Sequence, residues 1–344
     1  MINEKYMRRA LQLARQGAGH TSPNPMVGAV IVGPDDTIIG EGWHRRCGEA
    51  HAEVNAVASV TDPELLKDST IYVTLEPCSH YGKTPPCARL LIERGIPRVV
   101  VGCLDPFVKV SGRGVAMLRE AGVEVVVGVL EQECRDLNRR FMTSHTTGRP
   151  WVQLKWAQTA DGFIALPPDA GENPLHMSTP VTMRLMHRQR ALCDAIVVGA
   201  ATARIDNPSL TTRYWPGRSP LRVVLSGRLS ISDNLNMLQD GLPTIVYNGV
   251  KSEACGAVEY VMLDTGNSKS WLEDLYRRGV TSVMVEGGTQ VLQQLIDAGI
   301  WDEARIETSP RRVGQGVVAP TIDGQIMEKH LIDGNRIIYL IPRA

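Results

Sequence analysis

His51-Ala52-Glu53, followed downstream by Glu76-Pro77-Cys78-Ser79-His80-Tyr81-Gly82-Lys83-Thr84-Pro85-Pro86-Cys87, is the stretch that decides how the first half of this chain folds. One imidazole and two thiols are soft-to-borderline ligands, and zinc accepts that set while keeping a fourth position for water. A carboxylate two residues from the imidazole is placed to move protons on that water. His51, Cys78 and Cys87 are therefore the expected zinc ligands, and Glu53 the expected catalytic acid–base. The plain alternative is packing, the commoner use of any one His or Cys taken alone. A closed structural site would recruit His80 as a fourth ligand, but it leaves Glu53 without a task, since a closed site has no water to activate.

Working outward, the spacing predicts a helix over 51–60, stopped by Thr61-Asp62-Pro63, a strand over 70–75, and a helix over 88–94 that Cys87 opens and Gly95 ends. Pro86 suits a helix start. Residues two apart are about 200° around a helix, so His51 and Glu53 serve one centre only if the metal sits at the helix mouth. Upstream, a helix over 3–16 leads through Thr21-Ser22-Pro23-Asn24-Pro25 to a strand over 27–32, a turn at Gly33-Pro34-Asp35-Asp36 and a second short strand. Asn24, extended between two prolines, can present its amide to a planar ring. Downstream come a strand over 98–102, a helix over 115–121, a strand over 123–128 and a helix over 130–142. Strands alternating with helices after a starting hairpin give a mixed sheet covered on both faces. The metal belongs at strand ends and helix mouths on one edge of that sheet.

Bulk properties narrow the partners. At 344 residues the chain is long enough for two domains. Lys plus Arg and Asp plus Glu balance at 37 each, so no global field draws it to nucleic acid or an anionic membrane. Aromatic residues are only 5%, too few for a base-stacking track. Seven cysteines without a paired framework point to a reducing compartment, and the first residues lack a signal-peptide core. A cytoplasmic enzyme, acting on a small molecule as a homo-oligomer, is the expectation.

The stretch 143–150, small and polar, reads as a linker, and the domains are placed at 1–145 and 146–344. Beyond it, strands are expected over 151–155, 195–199, 221–225, 244–247, 258–263, 282–285, 301–307 and 336–341, with helices over 180–192, 269–278 and 289–298. This is a second α/β domain of βαβ units. Glu286-Gly287-Gly288-Thr289 joins a strand to a helix, where backbone amides can approach a phosphate. No Gly-x-Gly-x-x-Gly follows the first strand, so an ordinary Rossmann fingerprint is not supported.

The chemistry expected of the first domain follows from its ligands. Zinc makes water a nucleophile near neutral pH, and Glu53 passes its proton to a departing ammonia. The amine must sit on an amidine-like ring carbon, which is electrophilic enough to be attacked. The order His-x-Glu, Pro-Cys, Cys is that of zinc nucleobase deaminases, with eight residues between the cysteines here instead of two.

The run 77–87, with Thr21-Ser22-Pro23-Asn24-Pro25-Met26-Val27-Gly28 and His51-Ala52-Glu53, resembles the deaminase half of the bifunctional riboflavin biosynthesis deaminase-reductases. The resemblance implies a cytidine-deaminase-like three-layer α/β/α domain, zinc on His51, Cys78 and Cys87, Glu53 as proton shuttle, and substrate contacts from Asn24, His44, His80, Lys83 and Asp105. A flexible ammonium such as Lys83 suits a phosphate. Many relatives read Asp-Pro-Asn where this chain has Asp105-Pro106-Phe107, and that Asn contact is not carried over.

The string Val198-Gly199-Ala200-Ala201-Thr202-Ala203-Arg204-Ile205-Asp206-Asn207-Pro208-Ser209-Leu210-Thr211-Thr212-Arg213, with Gln153-Leu154-Lys155, Asp161-Gly162 and Glu286-Gly287-Gly288, resembles the reductase half of the same family. That implies a dihydrofolate-reductase-like α/β domain using NADPH. Substrate contacts fall on Arg184, Leu210, Arg213 and Glu286, and cofactor contacts on Lys155, Gln158, His176, Thr202, Asp206, Ser226, Gly287 and Gly288. His176-Met177-Ser178 stands where the family often has Trp-Ile-Thr, so His176 is a positional stand-in. Lys155, Asp206 and Glu286 are equal candidates for handling the proton of the reduction. The implied function is deamination of 2,5-diamino-6-(5-phosphoribosylamino)pyrimidin-4-one, then NADPH-dependent reduction of the ribosyl group to give 5-amino-6-(5-phosphoribitylamino)uracil. Two rivals stand beside it: a guanine, cytidine or tRNA-base deaminase with a non-catalytic second domain, and a non-catalytic zinc protein that senses nucleotides.

Overall fold

Runs of Val and Ile buried on both faces need helices above and below them, and both halves of the chain are built that way. The computed structural model describes residues 2–80, 85–107, 111–167 and 175–343. The chain divides into two compact units, Met1–Gly148 and Arg149–Ala344.

In the first unit, α1 (Glu4–Ala14) is capped by the Asn3 side chain and buries Tyr6, Met7, Ala10, Leu11 and Ala14 on one face. Next come β1 (Gly28–Val32), β2 (Ile38–Trp43), α2 (Ala52–Ala58), β3 (Thr70–Leu75) and α3 (Cys87–Glu93). The unit closes with β4 (Arg98–Cys103), α4 (Arg113–Glu120), β5 (Glu124–Val127), α5 (Glu131–Leu137) and α6 (Arg139–Thr147). The sheet order is β2-β1-β3-β4-β5, with β1 antiparallel to both neighbours and β3, β4 and β5 parallel. This is the expected mixed sheet. Every residue of β1 is buried, as are five of the six in β3 and in β4. Gly42 lets α2 lie directly on β2: a Cβ there would stand 2.3 Å from the Ala56 nitrogen and 2.5 Å from the Ala52 oxygen. That close seat fixes where the mouth of α2 opens.

Two expectations need correction. The helix expected over 130–142 is two helices, broken at Asn138, whose buried side chain accepts from the Met26 N–H and donates to the Met26 carbonyl, both at 2.8 Å. The stretch 143–150 is mostly helix, since α6 runs to Thr147 and ends on Gly148 at φ +69°. The hydroxyls of Thr146 and Thr147 bond back to the carbonyls of Met142 and Thr143, so small polar residues sit in the helix with their donors used.

The second unit runs β6 (Trp151–Gln158), β7 (Phe163–Ala165), α7 (Pro180–Ala191), β8 (Ala195–Gly199), α8 (Ala200–Asp206), β9 (Leu221–Leu225) and α9 (Asn236–Gln239). It continues with β10 (Thr244–Asn248), β11 (Glu253–Cys255), β12 (Val258–Met262), α10 (Ser268–Arg277), β13 (Ser282–Gly287) and α11 (Thr289–Asp297). β14 (Glu303–Thr308), β15 (Val317–Val318), β16 (Gln325–Ile332) and β17 (Asn335–Ile341) complete it. Ten strands form one sheet in the order β11-β12-β10-β9-β8-β13-β6-β14-β17-β16. From β12 to β14 the neighbours run parallel, and β11, β17 and β16 are added antiparallel. β16 escaped the sequence reading because it is an edge strand with its side chains exposed, so no burial pattern marks it. Among the described residues no helix is long and apolar enough to cross a membrane.

Candidate active sites

The C-terminal ends of β3 and β4 meet the mouths of α2 and α3. His51 precedes α2, Cys78 follows β3 by three residues, and Cys87 is the first residue of α3. His51 Nδ1 lies 3.2 Å from Cys87 Sγ and 3.6 Å from Cys78 Sγ, and the Cys87 backbone N–H donates to Cys78 Sγ at 3.3 Å. The three ligand atoms all lie within 4.8 Å of one another. Zinc bonds of roughly 2.0–2.3 Å to N and S fit a donor set of that size and softness. The hydrogen bond from the Cys87 thiol, helped by His51, holds Cys78 down at about 4. That shared bond, together with burial, pushes Cys87 up. Among the described residues the cluster has three members; His80 is exposed and does not join it, which disfavours the closed four-ligand arrangement.

Glu53 sits in the first turn of α2, 3% exposed. Burial first, and the charge on Cys78 second, push its carboxyl up to about 7. His44 is buried edge-on to His51, ring centroids 5.5 Å apart, with Nδ1 3.1 Å from the Ala50 carbonyl and Nε2 3.4 Å from Asn24 Nδ2. Asn24 and His44 are thus brought beside the cluster. Burial raises the Asp105 carboxyl, which accepts the Phe107 N–H at 2.8 Å. Phe107 itself packs edge-on against His145, ring centroids 5.8 Å apart. Lys83 lies outside the described residues.

Sequence reading gave Glu76 no role. Its buried carboxylate accepts four backbone N–H groups, from Gly114 and Val115 on one oxygen and Gly112 and Asp105 on the other, at 2.9 to 3.3 Å. It thereby ties the Cys78 loop to the Asp105 loop and to the start of α4. Asn138, which holds Met26 and so the Asn24 loop, was missed as well. Neither shows a signal in sequence, because each is defined by backbone groups 29 to 112 positions away.

In the second unit Gln158, Ser226, Gly287 and Gly288 stand at or just past the C-terminal ends of parallel strands β6, β9 and β13, with Thr202 in the helix after β8, where open α/β sheets place ligands. Thr202 lies in α8 after β8, and its Oγ1 stands 3.2 Å from where a Cβ on Gly288 would be. Gly287 has φ +137°, which only glycine adopts at ease. Backbone without side chains, opposite a hydroxyl, is a cradle that suits the phosphates of a dinucleotide. Gly287→Val forces that strain, on the order of 1–3 kcal/mol, and fills the cradle. The expected result is an NADPH KM raised about tenfold or more with ammonia release unchanged; steady-state titration of NADPH checks it. Ser226 is buried and its hydroxyl accepts the Ser230 N–H at 3.0 Å, and Gln158 Oε1 accepts from Trp156 Nε1 at 2.7 Å. His176 and Asp206 are exposed.

Arg184, Arg213, Tyr214, Trp215 and Pro216 line an open cavity of about 520 Å³, so two of the arginines expected to contact substrate share one cleft. His187 accepts the Arg213 backbone N–H on Nδ1 at 3.1 Å. Burial, with Arg190 and Arg213 nearby, draws His187 down to about 4, which keeps that nitrogen an acceptor. Burial also lowers Lys155 from the ordinary lysine value. Glu286 would rise on burial, but Arg190 and Lys155 outweigh that and hold it at about 2. Two expected substrate contacts are otherwise engaged. Leu210 is 2% exposed within an apolar cluster with Ile196, Val198 and Ala203, which leaves only its backbone for a ligand. Both Glu286 oxygens accept from Arg190, which sequence reading did not single out.

Two family models match the chain: the cytidine and deoxycytidylate deaminase zinc-binding region over residues 1–103, and the RibD C-terminal domain over 150–335. The riboflavin biosynthesis protein RibD of Bacillus amyloliquefaciens is 40% identical over 333 residues, spanning 93% of this chain and 88% of the relative. That of Aquifex aeolicus (strain VF5) is 38% identical over 323 residues, spanning 92% and 89%. Among solved structures, a diaminohydroxyphosphoribosylaminopyrimidine deaminase/5-amino-6-(5-phosphoribosylamino)uracil reductase from Thermotoga maritima aligns with a TM-score of 0.89 at 36% identity, covering 99% of this chain and 98% of that one.

Proposed function

This chain belongs to the family of the riboflavin biosynthesis protein RibD, and from that membership we propose that it deaminates a diaminopyrimidinone carrying a phosphoribosylamino group and then reduces the ribosyl chain with NADPH. It is a deaminase and a reductase in one chain, with a cytidine-deaminase-like first unit and a dihydrofolate-reductase-like second unit. The observation that carries the reading is the buried Glu53 beside three zinc donors of the right softness and spacing.

His51 Nδ1, Cys78 Sγ and Cys87 Sγ would hold zinc, which supplies the Lewis acidity that makes water a nucleophile at neutral pH. Glu53 accepts the water proton and returns it to the leaving amine, a transfer suited to a carboxyl that burial has brought to about 7. Asn24 and His44 face the ring, and Asp105 and His80 are its further neighbours in this reading. In the second unit Thr202 and Gly287-Gly288 would hold NADPH, the hydride donor, with Lys155, Gln158, His176, Asp206 and Ser226 around it. Arg184 and Arg213 would take the substrate phosphate, and Lys155 and Glu286, which bear on each other's charge, are the groups placed to move a proton. A charge-assisted hydrogen bond of about 1.5–3 kcal/mol predicts that Arg213→Met raises the KM for the phosphorylated substrate about 10- to 100-fold with little change in kcat. Steady-state kinetics with NADPH saturating measures it.

Seven cysteines, with no disulfide among the described residues, fit a reducing compartment, here the cytoplasm. The exposed edge strand β16, with Ile326, Met327 and Leu331 outward, supports association with a second copy. The test of the whole reading is incubation with the phosphorylated diaminopyrimidine while ammonia and NADPH are followed separately. Release of ammonia with no NADPH oxidation would leave the second unit non-catalytic; neither signal would end the proposal.

A further inference from the structure

In the first unit Arg8, Arg9, Arg89, Arg98 and Arg135 each meet a carboxylate at 2.6 to 3.0 Å. Arg45 and Arg46 do not. Both are exposed, and among the described residues neither has a carboxylate in ion-pair reach. Arg45 rests over the Trp43 ring, its guanidinium carbon 5.0 Å from the centroid, a stack that holds a cation without neutralising it. The two charges stand on the metal's edge of the sheet. β2 ends at Trp43, paired with Gly28 of β1, and β1 runs antiparallel to β3, so the loop after β2 lies at the C-terminal end of β3. That loop spans two histidines of the site, His44 and His51, whose rings are edge-on with centroids 5.5 Å apart. A chain advances at most about 3.6 Å per residue, so the Cα of Arg46 is within about 7 Å of that of His44. The loop is also pinned. His44 Nδ1 lies 3.1 Å from the Ala50 carbonyl, Asn55 Nδ2 donates to the Trp43 carbonyl at 2.8 Å, and the Cys47 N–H donates to the His20 carbonyl at 3.1 Å.

Two unneutralised guanidiniums on a fixed base, at the rim of a site for a planar ring, suit an anionic group carried outward from that ring. A phosphate monoester answers that description: it brings up to two negative charges, and a guanidinium meets its oxygens with a fork of donors. We propose that Arg45 and Arg46 are specificity-determining residues of the deaminating site, receiving the phosphate of its substrate at the rim while the ring lies beside Asn24, His44 and the metal ligands. The first unit then selects the phosphorylated diaminopyrimidine over its dephosphorylated counterpart. The inference rests on the deaminase reading of that site.

The test follows ammonia release from the phosphorylated diaminopyrimidine and from the same compound without its phosphate. The proteins are wild type, Arg45→Met, Arg46→Met, the double Met variant and the double Lys variant. Wild type should prefer the phosphorylated compound in kcat/KM. Each Met substitution should cut that preference about tenfold, and the pair about 10- to 100-fold. The loss should fall on KM, since the contact is the same before and during the reaction. The double Lys variant, which keeps both charges, should retain most of the preference. Added salt should raise the wild-type KM for the phosphorylated compound more than that of the double Met variant, because exposed charges are screened. Both side chains are exposed, so the variants fold, and NADPH oxidation on the deaminated substrate confirms it. Equal losses on the two compounds would mean that the loop only shapes the site, and would overturn the inference. So would a double Met variant with the wild-type preference, or a wild type that releases ammonia from both compounds equally well. A wild type that releases ammonia from neither removes the deaminase reading and this inference together.

Discussion

Glu53→Gln releases ammonia about 10²- to 10⁴-fold more slowly than the wild type, while NADPH oxidation on the deaminated substrate is unchanged. The amide is nearly the shape of the carboxyl and keeps the packing at the mouth of α2, so the loss isolates proton transfer. Glu53 is 3% exposed, in the first turn of α2 and two residues from His51, with Cys78 close enough to bear on its charge. Among the described residues no second carboxylate is in that position: Glu76 is occupied by four backbone N–H groups, and Asp105 accepts from Phe107. Ammonia and NADPH assays on separately supplied substrates provide the measurement. Loss of both activities in a protein with wild-type melting behaviour would mean that the two reactions do not have separate sites.

Cys87→Ser gives the other large effect. The hydroxyl is a poor substitute for a thiolate on zinc, and the remaining His51 and Cys78 make an incomplete site. Bound zinc should fall well below one per chain, with ammonia release lost and reduction retained. Stability should fall too. A ligand held only by the folded state stabilises it by about 2.7–4.1 kcal/mol at 100 to 1,000 times its dissociation constant, and the ligands here come from three separate segments of the chain. Metal analysis and thermal melting, each with and without a chelator, check both halves. A Cys87→Ser protein with full zinc and unaltered melting would show that the metal is held elsewhere.

The metal cluster was legible in the sequence because its chemistry is local: each ligand begins a helix or follows a strand, and residue type alone limits what it can bind. The parallel strands were legible for a related reason, since runs such as Ala29-Val30-Ile31-Val32 have no stable place but a covered sheet. What stayed hidden depends on partners far along the chain. Asn138 breaks a continuous helical pattern only because Met26 is there to be clasped. Thr143 to Thr147 looks like a linker until hydroxyl-to-carbonyl bonds make it helix. Glu286 was picked out by resemblance, but its holder Arg190 lies 96 positions away, and no pattern of spacing reports such a pair. Leu210 shows the converse: a motif places it at the site, while its side chain belongs to the core.

The carboxylate of Glu76 has one more consequence. A helix start with free amides is an invitation to any passing anion, and α4 opens on the same strand-end edge that carries the metal cluster. Here the invitation is largely accepted from inside, since the oxygens of Glu76 take the amides of Gly112, Gly114 and Val115. A phosphorylated substrate arriving at that edge therefore finds three of the amides at the start of α4 taken, and discrimination of the phosphate falls mainly to side chains that can reach out for it. Inorganic phosphate, for the same reason, should be a weak competitor there.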